Sequence, residues 1–344
     1  MKRAYRVFTV VSLLLSLILT VGCPQSSYAA EMLSIGTHGT GTNAYIMGSG
    51  AATAATTHSS YDVRAIATSG PNEWMPMITT KEMDMGVLNS WEAHMAWLGK
   101  SDFDRLSGGK GFPVRSLFCA GFATMSALVP GDSDIYTAAD LKGKNYVLNF
   151  TGSAGQTAQS KAFLANHNIS ESDVVAISVP GTQQGIQALT EGRADVTGTA
   201  NTGMAVVEEL NATRGARFLN YDPSPEAAAR ALAEFFGYIE LIQPAPGLTG
   251  VVEPTYMYIY EHYLVAREDL SEDAAYAVVK ATYENYADYA PIHPRLEEMK
   301  PERFVSERAT VPYHPGAIKY YKEAGVWTDR MDALQEELLA LKDN

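Results

Sequence analysis

Apolar positions along this chain switch between a strand-like and a helix-like period, and the switches mark its elements. Leu33-Ser34-Ile35 has strand character and breaks at Gly36-Thr37-His38-Gly39-Thr40-Gly41-Thr42-Asn43; helical spacing then resumes through Tyr45, Ile46 and Met47 to about Thr56. Residues 63–67 form a second strand-like run, ending in Thr68-Ser69-Gly70-Pro71-Asn72. Pro71 is placed for the first turn of a helix that reaches about Thr80. Residues 83–88 read as a third strand, ending in Asn89-Ser90, and residues 91–98 as its helix. Three strands thus end in loops of Gly, Ser, Thr or Asn that feed helices. In open parallel sheets ligands sit beyond the carboxyl ends of the strands, so these loops are expected to converge.

A second block repeats the grammar. Residues 99–113 read as a polar surface loop, and the β-prone residues 114–130 as two strands with a turn near Gly121. The strand 146–150 runs into Thr151-Gly152-Ser153-Ala154-Gly155-Gln156-Thr157 and a helix over 158–166. A strand at 174–179, a helix at 182–191 and a strand at 194–199 follow, the last ending in Ala200-Asn201-Thr202-Gly203 before a helix at 204–210. Residues 235–250 are punctuated by Pro and Gly and read as a return path. Residues 256–265 read as a strand rejoining the first block, followed by helices at 271–289, 295–300 and 316–324. The fold class expected is α/β with two lobes: residues 31–128 plus about 250–344 in one, 129–249 in the other, their loops facing across a cleft.

The first thirty residues change the picture of where this protein works. Lys2, Arg3 and Arg6 precede an uncharged apolar run too short to span a membrane comfortably, which reads as a secretory signal over residues 1–30. Small residues at 27–30 suit cleavage to a soluble periplasmic product, whereas Thr20-Val21-Gly22-Cys23 offers the alternative of a lipid anchor through Cys23. This leader holds three of the 26 Lys and Arg and none of the 39 Asp and Glu. The remainder therefore carries 23 basic against 39 acidic side chains, which argues against nucleic acid or an anionic membrane surface as partner. Cys119, in an apolar run, reads as a core thiol, and with only two cysteines no disulfide framework is available. The seven histidines do not cluster at metal-ligand spacing. The Gly-x-Ser-x-Gly elbow and the dinucleotide fingerprint are both missing, so an enzyme is not expected and no cofactor is implied.

The order of these loops resembles the TAXI-type substrate-binding proteins of TRAP (tripartite ATP-independent periplasmic) transporters. The matching segments are residues 35–43, Ala67-Thr68-Ser69-Gly70-Pro71-Asn72-Glu73, Asn89-Ser90-Trp91 and residues 151–156. Farther on they include residues 189–196, Leu264-Val265-Ala266-Arg267-Glu268-Asp269-Leu270 and residues 312–321. The resemblance implies a type II periplasmic-binding fold that closes on a small organic acid, such as glutamate or 2-oxoglutarate, and delivers it to TRAP permease subunits as a monomer. A sensory module handing its signal to a membrane receptor kinase is the alternative. Trp91 stands where the family has an aspartate, Trp74 follows the second loop, and Asn43-Ala44-Tyr45 alters the family's aromatic pair.

Glycines let a backbone approach a ligand closely, and a helix start offers free N–H groups with a positive dipole end. A carboxylate is therefore expected to be gripped by Thr37, Thr40, Thr42, Ser69, Thr151 and Ser153, with Thr157 and His38 beside them. Asn43, Asn72, Asn89, Gln156 and Asn201 would read its other polar end. Trp74, Trp91 and Tyr45 are candidates for an aromatic wall. Each could instead be a cap, a turn residue or core. Arg64 is the cation nearest the second loop in sequence but lies early in its strand, where a structural ion pair is a simpler reading than a salt bridge to a carboxylate ligand.

Overall fold

The computed structural model describes residues 30–342, so the expected leader and Cys23 lie outside the described residues. β1 (Glu31–Thr37) leads to α1 (Asn43–His58), β2 (Tyr61–Ala67) to α2 (Pro71–Thr80), and β3 (Met85–Asn89) directly to α3 (Ser90–Leu98). β1 and β3 are parallel, and their register sets Gly36 beside Gly86. The indole of Trp74 lies on both: a Cβ at Gly86 would stand 2.2 Å from that ring. The expected loop at 99–113 contains a short helix, α4 (Asp102–Ser107), pinned by the fully buried Phe103 edge-on to Phe112.

β4 (Val114–Pro130) is followed by β5 (Asn145–Phe150), α5 (Ala154–Asn166), β6 (Val175–Val179), α6 (Thr182–Thr190), β7 (Val196–Asn201) and α7 (Ala205–Arg214). β8 (Ala216–Phe218) and α8 (Pro225–Glu234) precede residues 235–250, and that expected return path itself holds β9 (Tyr238–Ile242). β10 (Thr255–Arg267) then returns to the first block. α9 (Glu272–Glu284) and α10 (Tyr286–Tyr289) divide at Asn285 what read as one helix; α11 (Pro294–Glu297), α12 (Pro315–Glu323) and α13 (Asp329–Ala340) complete the chain.

The strands join in the order β2-β1-β3-β10-β4-β7-β5-β6, with β8 on β4 and β9 on β10. β5 is parallel to β6 and β7, whereas β10 is antiparallel to β3 and β4, and β4 to β7. Two parallel halves are thus coupled through two long antiparallel strands. β4 is one strand of 17 residues, correcting the expectation of two. Gly121 pairs with His262, and the next pair is Cys119 with Tyr263, so Ala120 is an extra residue; Leu117 is skipped in the same way. Gly121 adopts φ +119°, which a β-carbon would strain, and the bulge bends the strand instead of reversing it. A separate apolar cluster, with Leu128, Val147, Phe150, Ile186 and Leu210, fills the β5–β7 half. Cys119 is buried, and burial pushes its thiol up, as a core role requires.

Candidate functional site

The carboxyl ends of β1, β3 and β7 and the starts of α1, α5 and α6 meet around one small chamber. Each helix start is built locally. Thr42 caps α1, accepting from Tyr45 N–H and donating to the Gly39 carbonyl at 2.8 Å. Asn89 caps α3 through Glu92 N–H at 2.7 Å, and Ser153 caps α5 through Gln156 N–H at 3.1 Å. Thr42, Asn43 and His38 face the chamber from the first loop, and Asn89 from the third. Gln156, Gln159, Thr182 and Asn201 face it from the other half, and Tyr260 and His262 from β10. Its volume of about 20 Å³ is room for about one water, so an organic guest enters only when the two halves part.

Hydrogen bonds fix the protonation states. Gln156 accepts Thr182 N–H at its Oε1 (3.1 Å), which orients the amide so that Nε2 donates to His38 Nδ1 at 3.1 Å. His38 therefore carries its proton on Nε2. Burial lowers its pKa to about 4 and that of His262 to about 3, so both rings are neutral at neutral pH. The chamber's lining includes no Lys, Arg, Asp or Glu. Asn201 donates to Tyr260 Oη at 2.8 Å, and Thr199 donates to Gln159 Oε1 at 2.9 Å. Asn43 Nδ2 donates to the Thr202 carbonyl at 3.1 Å, but Asn43 Oδ1 and His262 Nδ1 are buried without a partner.

Behind Asn89 lies a carboxyl that sequence reasoning passed over. Glu92, fully buried on α3, accepts from Ser153 Oγ at 2.5 Å, Gly155 N–H at 3.0 Å and Asn89 Nδ2 at 2.6 Å. Burial drives its pKa up to about 7, against the pull of those donors, and Asp102 adds to the rise.

Of the sixteen candidates, His38, Thr42, Asn43, Asn89, Gln156 and Asn201 line the chamber. The others stand elsewhere. Trp74 is core rather than wall, lying on Gly36 and Gly86, and Trp91 packs on Phe235 with ring centroids 5.9 Å apart. Thr37 donates to the Ile66 carbonyl, tying β1 to β2; Ser69 donates to Glu73, and Thr157 accepts from Phe150 N–H. Asn72 donates to the carbonyl of the exposed Thr151, so these two join the halves outside the chamber. Ser153 Oγ is spent on Glu92 and its own helix. Thr40 and Tyr45 border an outer groove beside Ile292 and Leu296. Arg64 pairs with Asp62, as its early position suggested. Tyr260 and His262 were missed because β10 reads as an ordinary apolar strand; the polar Glu261-His262 pair inside it was the available signal. Gln159 lies one turn beyond Gln156 on the same helix face, and Thr182 opens α6.

A family model described as the NMT1-like family matches residues 35–325. The chain belongs to that family. Among solved structures it resembles a periplasmic transporter (TM-score 0.57, 11% identity, 92% of this chain and 99% of that one). It also resembles the ligand-binding component of an ABC-type import system from Staphylococcus aureus with zinc bound (0.52, 10%, 90% and 99%). A third is PhnD1 from Prochlorococcus marinus in complex with methylphosphonate (0.51, 11%, 86% and 99%). At these identities the likeness carries the fold alone, that of an α/β two-lobe periplasmic binding protein. Among the described residues of this NMT1-like chain, no group of three His, Cys, Asp or Glu could hold a metal ion, and no helix is long and apolar enough to cross a membrane.

Proposed function

We propose that this chain is an extracytoplasmic solute-binding protein that captures one small organic acid in the chamber and delivers it to a TRAP-type permease. The observation that carries the reading is a polar chamber built by both halves, in whose lining two buried atoms, Asn43 Oδ1 and His262 Nδ1, lack partners. Buried polar groups are nearly always satisfied, and a guest with both kinds of group would serve both: Asn43 Oδ1 accepts from a hydroxyl or amine, and His262 Nδ1, in its N–H tautomer, donates to an acid oxygen. Three helix starts and neutral N–H and O–H donors would hold a carboxylate without a side-chain cation, and closure would strengthen each bond by excluding water. Residues 31–128 plus about 250–344 form one lobe in this reading and 129–249 the other, hinged through β4 and β10. The TRAP assignment rests on the loop order in the sequence. The ABC-type import system among the structural relatives favours a second reading, delivery to an ABC permease, and reconstitution with each permease separates the two. Mass spectrometry of molecules that co-purify with the folded protein tests the ligand class. An organic acid retained by the wild type and lost from Asn43→Leu is expected; a stoichiometric sugar or metal ion in its place overturns the reading.

A further inference from the structure

The first turn of α5 has the form of an anion seat, yet its guest is a side chain of the protein itself. Ser153 Oγ, Gly155 N–H and Asn89 Nδ2 converge on the Glu92 carboxyl, which arrives from α3 on the opposite half of the sheet. The seat is shaped for that approach: a Cβ at position 155 would stand 2.6 Å from Asn89 Nδ2 and from both Cγ and Cδ of Glu92. Only glycine leaves the room. The seat is also continuous with the chamber, because Asn89 lines the chamber with the same side chain that binds Glu92, and Gln156 follows Gly155 in the helix.

We propose that Glu92 is a specificity-determining residue: by filling the anion seat from within, it restricts the cleft to ligands with a single acid group and rejects dicarboxylates, whose second acid would need that seat. The proposal rests on the reading that the chamber takes a carboxylate, and it adds which carboxylates are excluded. A linear diacid finds the seat filled by a buried acid and its three donors already engaged. A monoacid uses only the neutral donors of the chamber. Glu92 also joins the two halves in the way a bound anion would, so closure does not depend on the ligand to bridge them at this point.

Glu92→Ala empties the seat while leaving its three donors in place. Formate and acetate are the probes of the seat, and succinate is the probe of specificity. Formate or acetate is expected to raise the melting temperature of Glu92→Ala by more than that of the wild type. Succinate is expected to bind the wild type only weakly in calorimetry and to gain at least about tenfold in affinity for the variant, the fold-change of one recovered charge-assisted hydrogen bond. Glu92→Gln fills the seat by shape and is expected to gain neither. Glu92→Ser empties it too, carries the same expectation and serves if the alanine variant does not fold. Equal shifts with formate in wild type and variant, or none in either variant, overturn the seat. Formate rescue without any gain for succinate overturns the specificity assignment. Rescue of the seat in a protein whose wild type binds no organic acid counts against the proposed function alone.

Discussion

Gln156 ties the chamber together, with its amide oxygen on Thr182 N–H and its amide nitrogen on His38 Nδ1. Leucine there has similar size and no polar end. Gln156→Leu is expected to weaken organic-acid binding by at least about tenfold in calorimetry, the cost of stranding buried partners. Thr40→Leu, at the outer groove, is expected to leave affinity unchanged, although the sequence alone places Thr40 in the grip. Asn43, Asn89 and Gln156 were legible because each sits where a strand gives way to a helix. Glu92 was not, since an acid three residues past Asn89 reads as an ordinary first-turn residue, and burial is not written in the sequence. Its pH signature follows from linkage. Burial raises Glu92 to about 7 from 4.5, so the folded chain holds a proton that the unfolded chain has lost, and this contribution to stability falls as pH rises from 4.5 to 7. His38 and His262, lowered to about 4 and about 3, act in the opposite sense: their contribution is lost as pH falls below 6.5. Melting curves of Glu92→Gln and wild type are therefore expected to diverge in the variant's favour between pH 4.5 and 7 and to run parallel above that range.

Most elements were readable from their period, and those that were not share a cause. The glycine inside residues 114–130 signalled a turn, but β10 pairs with β4 on both sides of it, so the positive φ of Gly121 makes a bulge in a continuous strand. Gly121→Ala keeps the space tight against the Glu298 carbonyl, 3.2 Å from a Cβ, and imposes a strained backbone. It is expected to lower stability by about 1–3 kcal/mol in urea titration. β8 and β9 are short and punctuated, and only their pairing with β4 and β10 makes them strands. α8 had a start signal in Ser224-Pro225 and α13 a cap in Thr328, which accepts from Met331 N–H; both lie in stretches to which no element was assigned.

The two halves of the molecule meet through the protein's own groups. Asn43 on the Thr202 carbonyl, Asn72 on the Thr151 carbonyl, His38 with Gln156, and Glu92 with Ser153 all cross between them. The two-lobe arrangement was legible from the repeated strand–loop–helix grammar; the meeting of particular side chains was not, because it depends on how far the lobes close. In the proposed reading, opening is a hinge motion whose two states differ by about a few kcal/mol, and ligand shifts their populations only through contacts that differ between them. Removing the Glu92 bridge is expected to favour the open state, so ligand-free Glu92→Ala should show a larger radius of gyration than wild type in solution scattering. The central claim, that the chamber lined by Asn43, Gln156 and His262 holds one small acid, is tested most directly by titrating a panel of organic acids into wild type and Gln156→Leu by calorimetry. The account predicts one acid bound at a one-to-one ratio by the wild type and lost from a variant with an unchanged circular dichroism spectrum; equal binding by both would contradict it.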